Sequence, residues 1–256
     1  MASKKSYWST LEPRIFAHRG LVTLDSPDEN TVPAFRAAVL AGADYIESDL
    51  QLTSDGVPVL FHDADLLRVA GLNKKISQVS WAELQDIRLL RGGHIPRLED
   101  VLKAFSGSKF NLDFKSDDVV APAAAVINKL RCHNRVLVTS FSDARRRRAV
   151  SLMDSPVATS AGSITVVLIY IASYVPVPAL GRLIARDVDC LQIPVGNKYI
   201  HFDTKRFIRY CRSIDLSVYF WTINKKKDMK RLVGLGAAGI VTDKCDLAIE
   251  AFATSL

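Results

Sequence analysis

Two histidines, four acidic side chains and two basic ones stand out in this chain because of the runs they end and the spacing between them. His18 and Arg19 close the apolar run that starts at Ile15, and Glu47 and Asp49 alternate within Tyr45 to Gln51. His62 and Asp63 end a run from Val57, and Asp113 and Lys115 alternate within Phe110 to Lys115. Residues two apart on a β-strand point to one face. Glu47 and Asp49 therefore present two carboxylates together, and Asp113 and Lys115 a carboxylate and an ammonium. If both pairs face the same interior, three carboxylates converge. Such a cluster repels itself unless a cation lies within it, and an all-oxygen site suits a hard divalent ion, Mg²⁺ or Ca²⁺. The competing reading is that these carboxylates form ion pairs with Arg19 or Lys115.

Histidine exchanges a proton near neutral pH, so His18 and His62, set on opposite sides of a metal, could act as base and acid in an in-line displacement at phosphorus. Arg19 and Lys115 would hold the non-bridging phosphate oxygens and offset the charge that develops in the transition state. That chemistry is cleavage of a phosphodiester. The remaining histidines, His94, His133 and His201, fall in expected loops or helix ends and read as surface residues.

For these residues to meet, the elements carrying them must end at one place. Short apolar runs bounded by turn residues alternate with longer helix-like segments, the pattern of repeated βα units around a parallel sheet. The runs are Ile15–His18, Tyr45–Gln51, Phe110–Lys115, Val136–Phe141, Val157–Ala161, Cys190–Pro194, Val218–Ile223 and Gly239–Thr242. Eight strands in 256 residues fit one closed (β/α)8 barrel, a TIM barrel, better than an open doubly wound sheet. No GxGxxG follows the first strand, which argues against a dinucleotide fold. In a barrel, residues at the C-terminal strand ends carry the chemistry, and all four clusters meet that test.

The first helix is signalled by Asn30 and Thr31 as caps, Pro33 in the first turn and Gly42 at the end. The stretch 53–109 between the second and third of these strands is unusually long. It opens on the hairpin-type turn Ser54-Asp55-Gly56 and returns through Val57 to His62. It is expected to be an insertion over the barrel mouth, with a helix near Trp81–Leu90 and a loop at Arg91–Arg97, within a single domain spanning 1–256.

The formal charge of +7 favours anionic partners. The basic runs Arg145–Arg148 and Lys225–Lys227 lack interleaved aromatic residues, so they read as solvated helix starts or loops, and nucleic-acid binding is disfavoured. The opening MASKKSYWSTLEPR has no apolar run of the kind a secretory signal requires, which leads to the expectation of a cytoplasmic protein. Cys132, Cys190, Cys211 and Cys245 have no metal-type spacing and read as reduced, mostly buried thiols. The nearly uncharged segment Ile164–Ala185 is shorter in its uninterrupted apolar part than the ~20 residues a membrane span needs and is broken by Pro176 and Pro178. A buried or surface-docked loop and helix is expected there, with peripheral contact with lipid as the alternative.

Several runs, taken together and in order, resemble the glycerophosphodiester phosphodiesterase family. They are AHRG at Ala17–Gly20, PDENTVPAF at Pro27–Phe35, GADYIESDLQLTSDGVPVLFHD at Gly42–Asp63 and IPRLEDVL at Ile95–Leu102. RVLVTSFS at Arg135–Ser142 and VYFWTINKKKDMKRLVGLGAAGIVTDKCDLAI at Val218–Ile249 complete the set, and the weakest stretch is Met153–Lys205. The resemblance implies the barrel, the insertion and a divalent metal. It implies that His18 and His62 are the acid/base pair, that Glu47 and Asp49 bind the metal, and that Arg19 and Lys115 bind phosphate. It also implies that Trp221 lines the pocket, with a core tryptophan as the alternative, and that Glu29 and Asn30 brace the first loop. The family usually has glutamate as its third metal ligand where this chain has Asp113 in NLDFKS.

These implications converge on hydrolysis of a small-molecule glycerophosphodiester to sn-glycerol 3-phosphate and an alcohol, with one Mg²⁺ or Ca²⁺ as cofactor. A lysophospholipase D-like activity on a lipid is the runner-up, motivated by the positive charge and the apolar 164–185 segment. A barrel that binds phosphodiesters without turnover is disfavoured, because a decayed site would have lost one of His18, His62, Glu47 or Asp49.

Overall fold

In the computed structural model, which describes residues 6–23, 28–175, 177–196 and 198–253, each of the eight apolar runs forms a parallel strand. They are β1 (Arg14–His18), β2 (Tyr45–Leu52), β4 (Lys109–Phe114), β5 (Val136–Thr139), β6 (Ala158–Thr159), β7 (Cys190–Pro194), β8 (Ser217–Trp221) and β9 (Gly239–Thr242). The additional β3 (Pro58–Leu60) pairs antiparallel with β2, as the hairpin turn at Ser54–Gly56 predicts. The strands follow one another around the sheet in the order β6-β5-β4-β2-β1-β9-β8-β7. The two ends meet at a parallel bridge between Ser160 and Cys190, where the Ala161 amide donates to the Cys190 carbonyl at 3.0 Å and the Asp189 amide to Thr159 at 2.8 Å. This closes the barrel. Lys115 and Phe141, expected within strands, lie just beyond the ends of β4 and β5.

Helices join the strands: α1 (Val32–Leu40), α4 (Leu98–Ala104), α5 (Val120–Leu130), α6 (Asp143–Ser151), α7 (Ser163–Ala172), α8 (Pro178–Ile184), α9 (Lys205–Ser213), α10 (Lys226–Gly234) and α11 (Cys245–Ala253). The insertion holds α2 (Leu67–Ala70) and α3 (Trp81–Leu84). At α1 the cap is Thr31, whose hydroxyl accepts from the Ala34 amide, and Pro33 lies in the first turn. Asn30 does not cap, because its side chain turns to the barrel interior. The helix expected over Trp81–Leu90 stops after α3. Ser80 and Glu83 form a capping box, but the Leu90 amide bonds to Val69 and the Leu89 amide to Gly93, which draws the chain into a loop. The insertion has its own small core, with Phe61, Val69, Ile76, Leu84 and Ile95 among its members. Pro27 and Pro176, both singled out in the sequence, lie outside the described residues, and Pro178 opens α8.

Period-two alternation divides the barrel interior into two levels. Phe16, Tyr45, Leu137, Cys190 and Tyr219 form an apolar floor with Tyr7 beneath it. Two residues further along the same inward faces come His18, Glu47, Thr139, Gln192 and Trp221, so the polar level stands directly above the apolar one. The intervening residues, such as Ile46, Phe110, Leu112, Val136 and Val138, point outward into a core shared with the helices.

Two expectations about surface residues fail for the same reason: an acceptor within hydrogen-bond distance makes burial tolerable. Arg146, read as part of a solvated basic run, is 1% exposed, and its guanidinium donates to the Asp187 carboxylate at 2.8 Å and to the Asp187 carbonyl at 3.0 Å. His133 is buried as well, with Nε2 2.8 Å from Asn128 Oδ1, and burial lowers its pKa. His94 and His201 are exposed, and the four cysteines are buried free thiols, as expected. Truncating Arg146 removes a fully buried guanidinium, whereas its partner Asp187 is partly exposed and keeps Arg147 at 2.8 Å. Arg146→Ala is therefore expected to destabilise the fold by about 1–3 kcal/mol in urea denaturation, and a loss below about 0.5 kcal/mol would show that the pair is not structurally important.

Candidate active site

At the C-terminal mouth of the barrel lies a cavity of about 390 Å³ whose walls include His18, Arg19, Glu47, Asp49, His62, Asp113, Lys115 and Trp221. Every site residue singled out in the sequence meets at this one place. Strand register explains part of this convergence. His18 is paired with Glu47 across β1 and β2, and Asp49 with Asp113 across β2 and β4, which sets the three carboxylates side by side.

The turn after β1 sets the first histidine. Arg19 adopts φ +56° and Gly20 φ +88°, and a Cβ on Gly20 would lie 2.7 Å from the Ala34 carbonyl carbon, so only glycine fits between β1 and α1. The Arg19 amide donates to the Glu47 carbonyl at 2.9 Å, which ties this turn to β2. Each histidine ring is held through Nδ1. That of His18 donates to Asp243 Oδ1 at 2.6 Å, and that of His62 to Asp63 Oδ1 at 2.7 Å. A ring held by a carboxylate at Nδ1 offers Nε2 to the reaction in a defined orientation. Asp243 is itself held by Asn224 at 2.6 Å, and Asp63 by Arg68 at 2.7 Å.

The charges are strongly coupled. Lys115 Nζ lies 2.8 Å from Asp49 and 2.6 Å from Asp113, and Arg19 pairs with Glu29 at 2.9 Å and with Asp49 at 3.3 Å. Glu29 also binds Arg68, and Asn30 donates to Asp49 while accepting from Ser48, so both residues brace the first loop. Burial works against the charge on Asp49, but Lys115 and Arg19 outweigh it and hold its pKa below the ordinary range. Burial raises Asp113, and Lys115 offsets only part of that effect. Glu47 is pushed up to about 8 by burial and by the neighbouring Asp49. Burial would lower His18, but Glu47 and the hydrogen bond to Asp243 raise it overall.

This arrangement bears on the expected metal site. Among the described residues, no three His, Cys, Asp or Glu side chains stand in ligating geometry around a common point. The Lys115 ammonium lies between Asp49 and Asp113 as their shared counter-ion. The donors nevertheless fit a hard divalent ion by their chemistry. They are all carboxylate oxygens, and Asp113 Oδ1 is buried without a hydrogen-bond partner.

The sequence reading missed Asp243 and Asn224. Asp243 directly follows Thr242, the last residue of β9, so the rule that selects residues at strand ends would have found it. Asn224 lies three residues past β8 in a loop, and nothing in its spacing points to the site. Asp243 acts through His18, so Asp243→Asn is expected to lower kcat by about 10- to 100-fold with KM little changed. Because Asp243 helps to raise the His18 pKa, the pH–rate profile should move to lower pH on at least one limb. An unmoved profile would leave Asp243 a purely structural role.

A model of the glycerophosphoryl diester phosphodiesterase family matches residues 18–247. A Mycobacterium tuberculosis protein named "Probable glycerophosphodiester phosphodiesterase 2" is 35% identical over 90% of this chain and 87% of its own. Human "Lysophospholipase D GDPD1" is 25% identical over 84% of this chain and 79% of its own. Among solved structures, an Oleispira antarctica phosphodiesterase in complex with the product sn-glycerol-3-phosphate superposes with a TM-score of 0.76 at 22% identity, covering 96% of this chain and 99% of that one.

Proposed function

The chain belongs to the glycerophosphoryl diester phosphodiesterase family, and from that premise we propose that it hydrolyses small glycerophosphodiesters to sn-glycerol 3-phosphate and an alcohol by paired histidine acid/base catalysis beside a divalent cation. It is a glycerophosphodiester phosphodiesterase on a TIM barrel. The observation that carries the mechanistic part is the pair of aspartate-held rings. His18 on Asp243 and His62 on Asp63 line one cavity, each with Nδ1 engaged.

In this reading one ring takes the proton of the attacking water through Nε2 while the other protonates the leaving alkoxide; where a substrate hydroxyl attacks first, water then opens the cyclic phosphate with the two roles exchanged. His18 lies 3.8 Å from Glu47, and Glu47 together with the hydrogen bond to Asp243 raises its pKa against the effect of burial. Arg19 and Lys115 bring positive charge to the non-bridging oxygens. Glu47, Asp49 and Asp113 would hold a Mg²⁺ or Ca²⁺ ion, which supplies neutralisation of the phosphoryl charge. Trp221, packed edge-on to Phe141 with ring centroids 6.0 Å apart, forms a wall against which the glycerol or alcohol portion rests.

A second reading, lysophospholipase D-like hydrolysis, is favoured by the composition of the far wall. Phe141, Val166, Val167, Ile193, Phe202 and Trp221 line one side of the cavity and suit an acyl chain. One experiment addresses both. A panel of water-soluble and monoacyl glycerophosphodiesters is assayed with chelator and after add-back of Mg²⁺ or Ca²⁺. The expected result is turnover of the soluble substrates that is lost on chelation and recovered on add-back. Full turnover in chelator would overturn metal dependence, and turnover confined to monoacyl substrates would establish the second reading.

A further inference from the structure

Helix α7 is apolar on its outer face as well as its inner one. Val166, Ile169 and Ala172 pack inward, whereas Ile164, Leu168 and Ile171 are 69%, 45% and 57% exposed. On α8, Leu180 and Leu183 are exposed too. An apolar surface of this extent marks an interaction site, and a helix hydrophobic all round is normally covered.

The surroundings indicate what covers it. No Asp or Glu occurs between Ser155 and Arg186, and the rim of the face is basic. The Arg206 guanidinium lies over the Tyr174 ring, 3.3 Å from its centroid, which joins α9 to the end of α7. Lys205 and Arg209 are exposed on the same helix, and Arg182 of α8 donates to the Ser213 carbonyl at its end. A second copy of the chain docked symmetrically through this face would bring like-charged rims together, whereas an anionic surface would complement them. The face also continues into the catalytic mouth, because Val166 and Val167 of α7 line the active-site cavity.

We propose that α7 and α8 dock the protein on an anionic lipid bilayer, lying in the headgroup layer with the mouth of the barrel held at the membrane surface. No described helix is long and apolar enough to cross a membrane, so the contact is peripheral. Helices with an apolar face and a basic rim bind in this way through combined apolar burial and attraction to acidic headgroups. The inference goes beyond the hydrolytic reading and does not depend on it.

The test is co-flotation of the full chain with vesicles of phosphatidylcholine alone and of phosphatidylcholine mixed with phosphatidylglycerol. Wild type should float with the mixed vesicles, float poorly with the neutral ones, and be released by high salt. The triple variant Ile164→Ser, Leu168→Ser, Ile171→Ser should lose at least about tenfold in vesicle affinity while hydrolysing a water-soluble glycerophosphodiester at the wild-type rate. Lys205→Glu with Arg209→Glu should weaken binding to the mixed vesicles alone. Unchanged flotation of the triple variant, or equal binding of wild type to both vesicle types, would overturn the proposal. So would sedimentation that finds a wild-type dimer converted to monomer by the triple variant. Because flotation needs no turnover, the docking result stands whether or not the substrate assignment does.

Discussion

Replacing His18 by alanine is expected to lower kcat by about 10²- to 10⁴-fold, and replacing His62 to do the same, since that is the usual contribution of a positioned acid or base. Both variants should fold. His62 lies at the mouth, with 34% of its side chain accessible, and although His18 is more enclosed, neither ring belongs to an apolar cluster. KM should change little, because the loss falls on proton transfer. The double variant should be only slightly worse than either single one, since residues that act as a unit give non-additive losses. The wild-type pH–rate profile should be bell-shaped, with limbs that belong to the coupled pair. Near-wild-type kcat in either folded single variant would remove that ring from the mechanism. A flat profile between mildly acidic and mildly alkaline pH would remove the pairing.

The second large effect is expected at Asp113. Asp113→Asn keeps the side-chain size and removes the negative charge, so a hard divalent cation loses a ligand charge and should bind at least about tenfold more weakly in calorimetric titration. Activity should fall with it. Asp113→Glu restores the charge and reaches one methylene further, giving the residue that the family resemblance leads one to expect at this position. This variant should keep partial or full activity, with a changed preference between Mg²⁺ and Ca²⁺. The structure adds a competing consequence of the asparagine variant. Asp113 is one of two carboxylates that hold Lys115, at 2.6 Å, so its neutralisation also frees that ammonium toward Asp49. Titration separates the two effects: unchanged metal affinity with lost activity would assign Asp113 to the positioning of Lys115, and the three-carboxylate site would be wrong.

Much of the site was legible in one dimension because a barrel converts sequence position into location. A residue at the C-terminal end of a strand lies at the mouth, and residues two apart share a face, so His18, Glu47, Asp49 and Asp113 could be grouped before any contact was known. The same rule, pressed to the last strand, would have reached Asp243 beside His18. Asn111 and Gln192 escaped notice because amides carry no distinctive spacing, yet they meet across the barrel at 2.9 Å.

Local pattern could not rank ion pairs, since a charge's partner depends on distances set by elements far apart in the chain. Arg146 lies in a basic run that looks solvated, but Asp187, 41 positions away, reaches it and allows its burial. Lys115 could have faced phosphate or carboxylate, and only the pairing of β2 with β4 sets Asp49 and Asp113 on either side of its ammonium. The apolar α7 segment was ambiguous for a related reason, because hydrophobicity measures what a helix would leave water for and not which of its faces the fold has already covered. The sequence by itself determined the periodicity, the strand ends and the residue types available at the mouth, since these follow from local geometry. The tertiary structure decided which charges neutralise one another and which apolar face remains open, since both depend on the closed barrel bringing distant segments within a few ångströms.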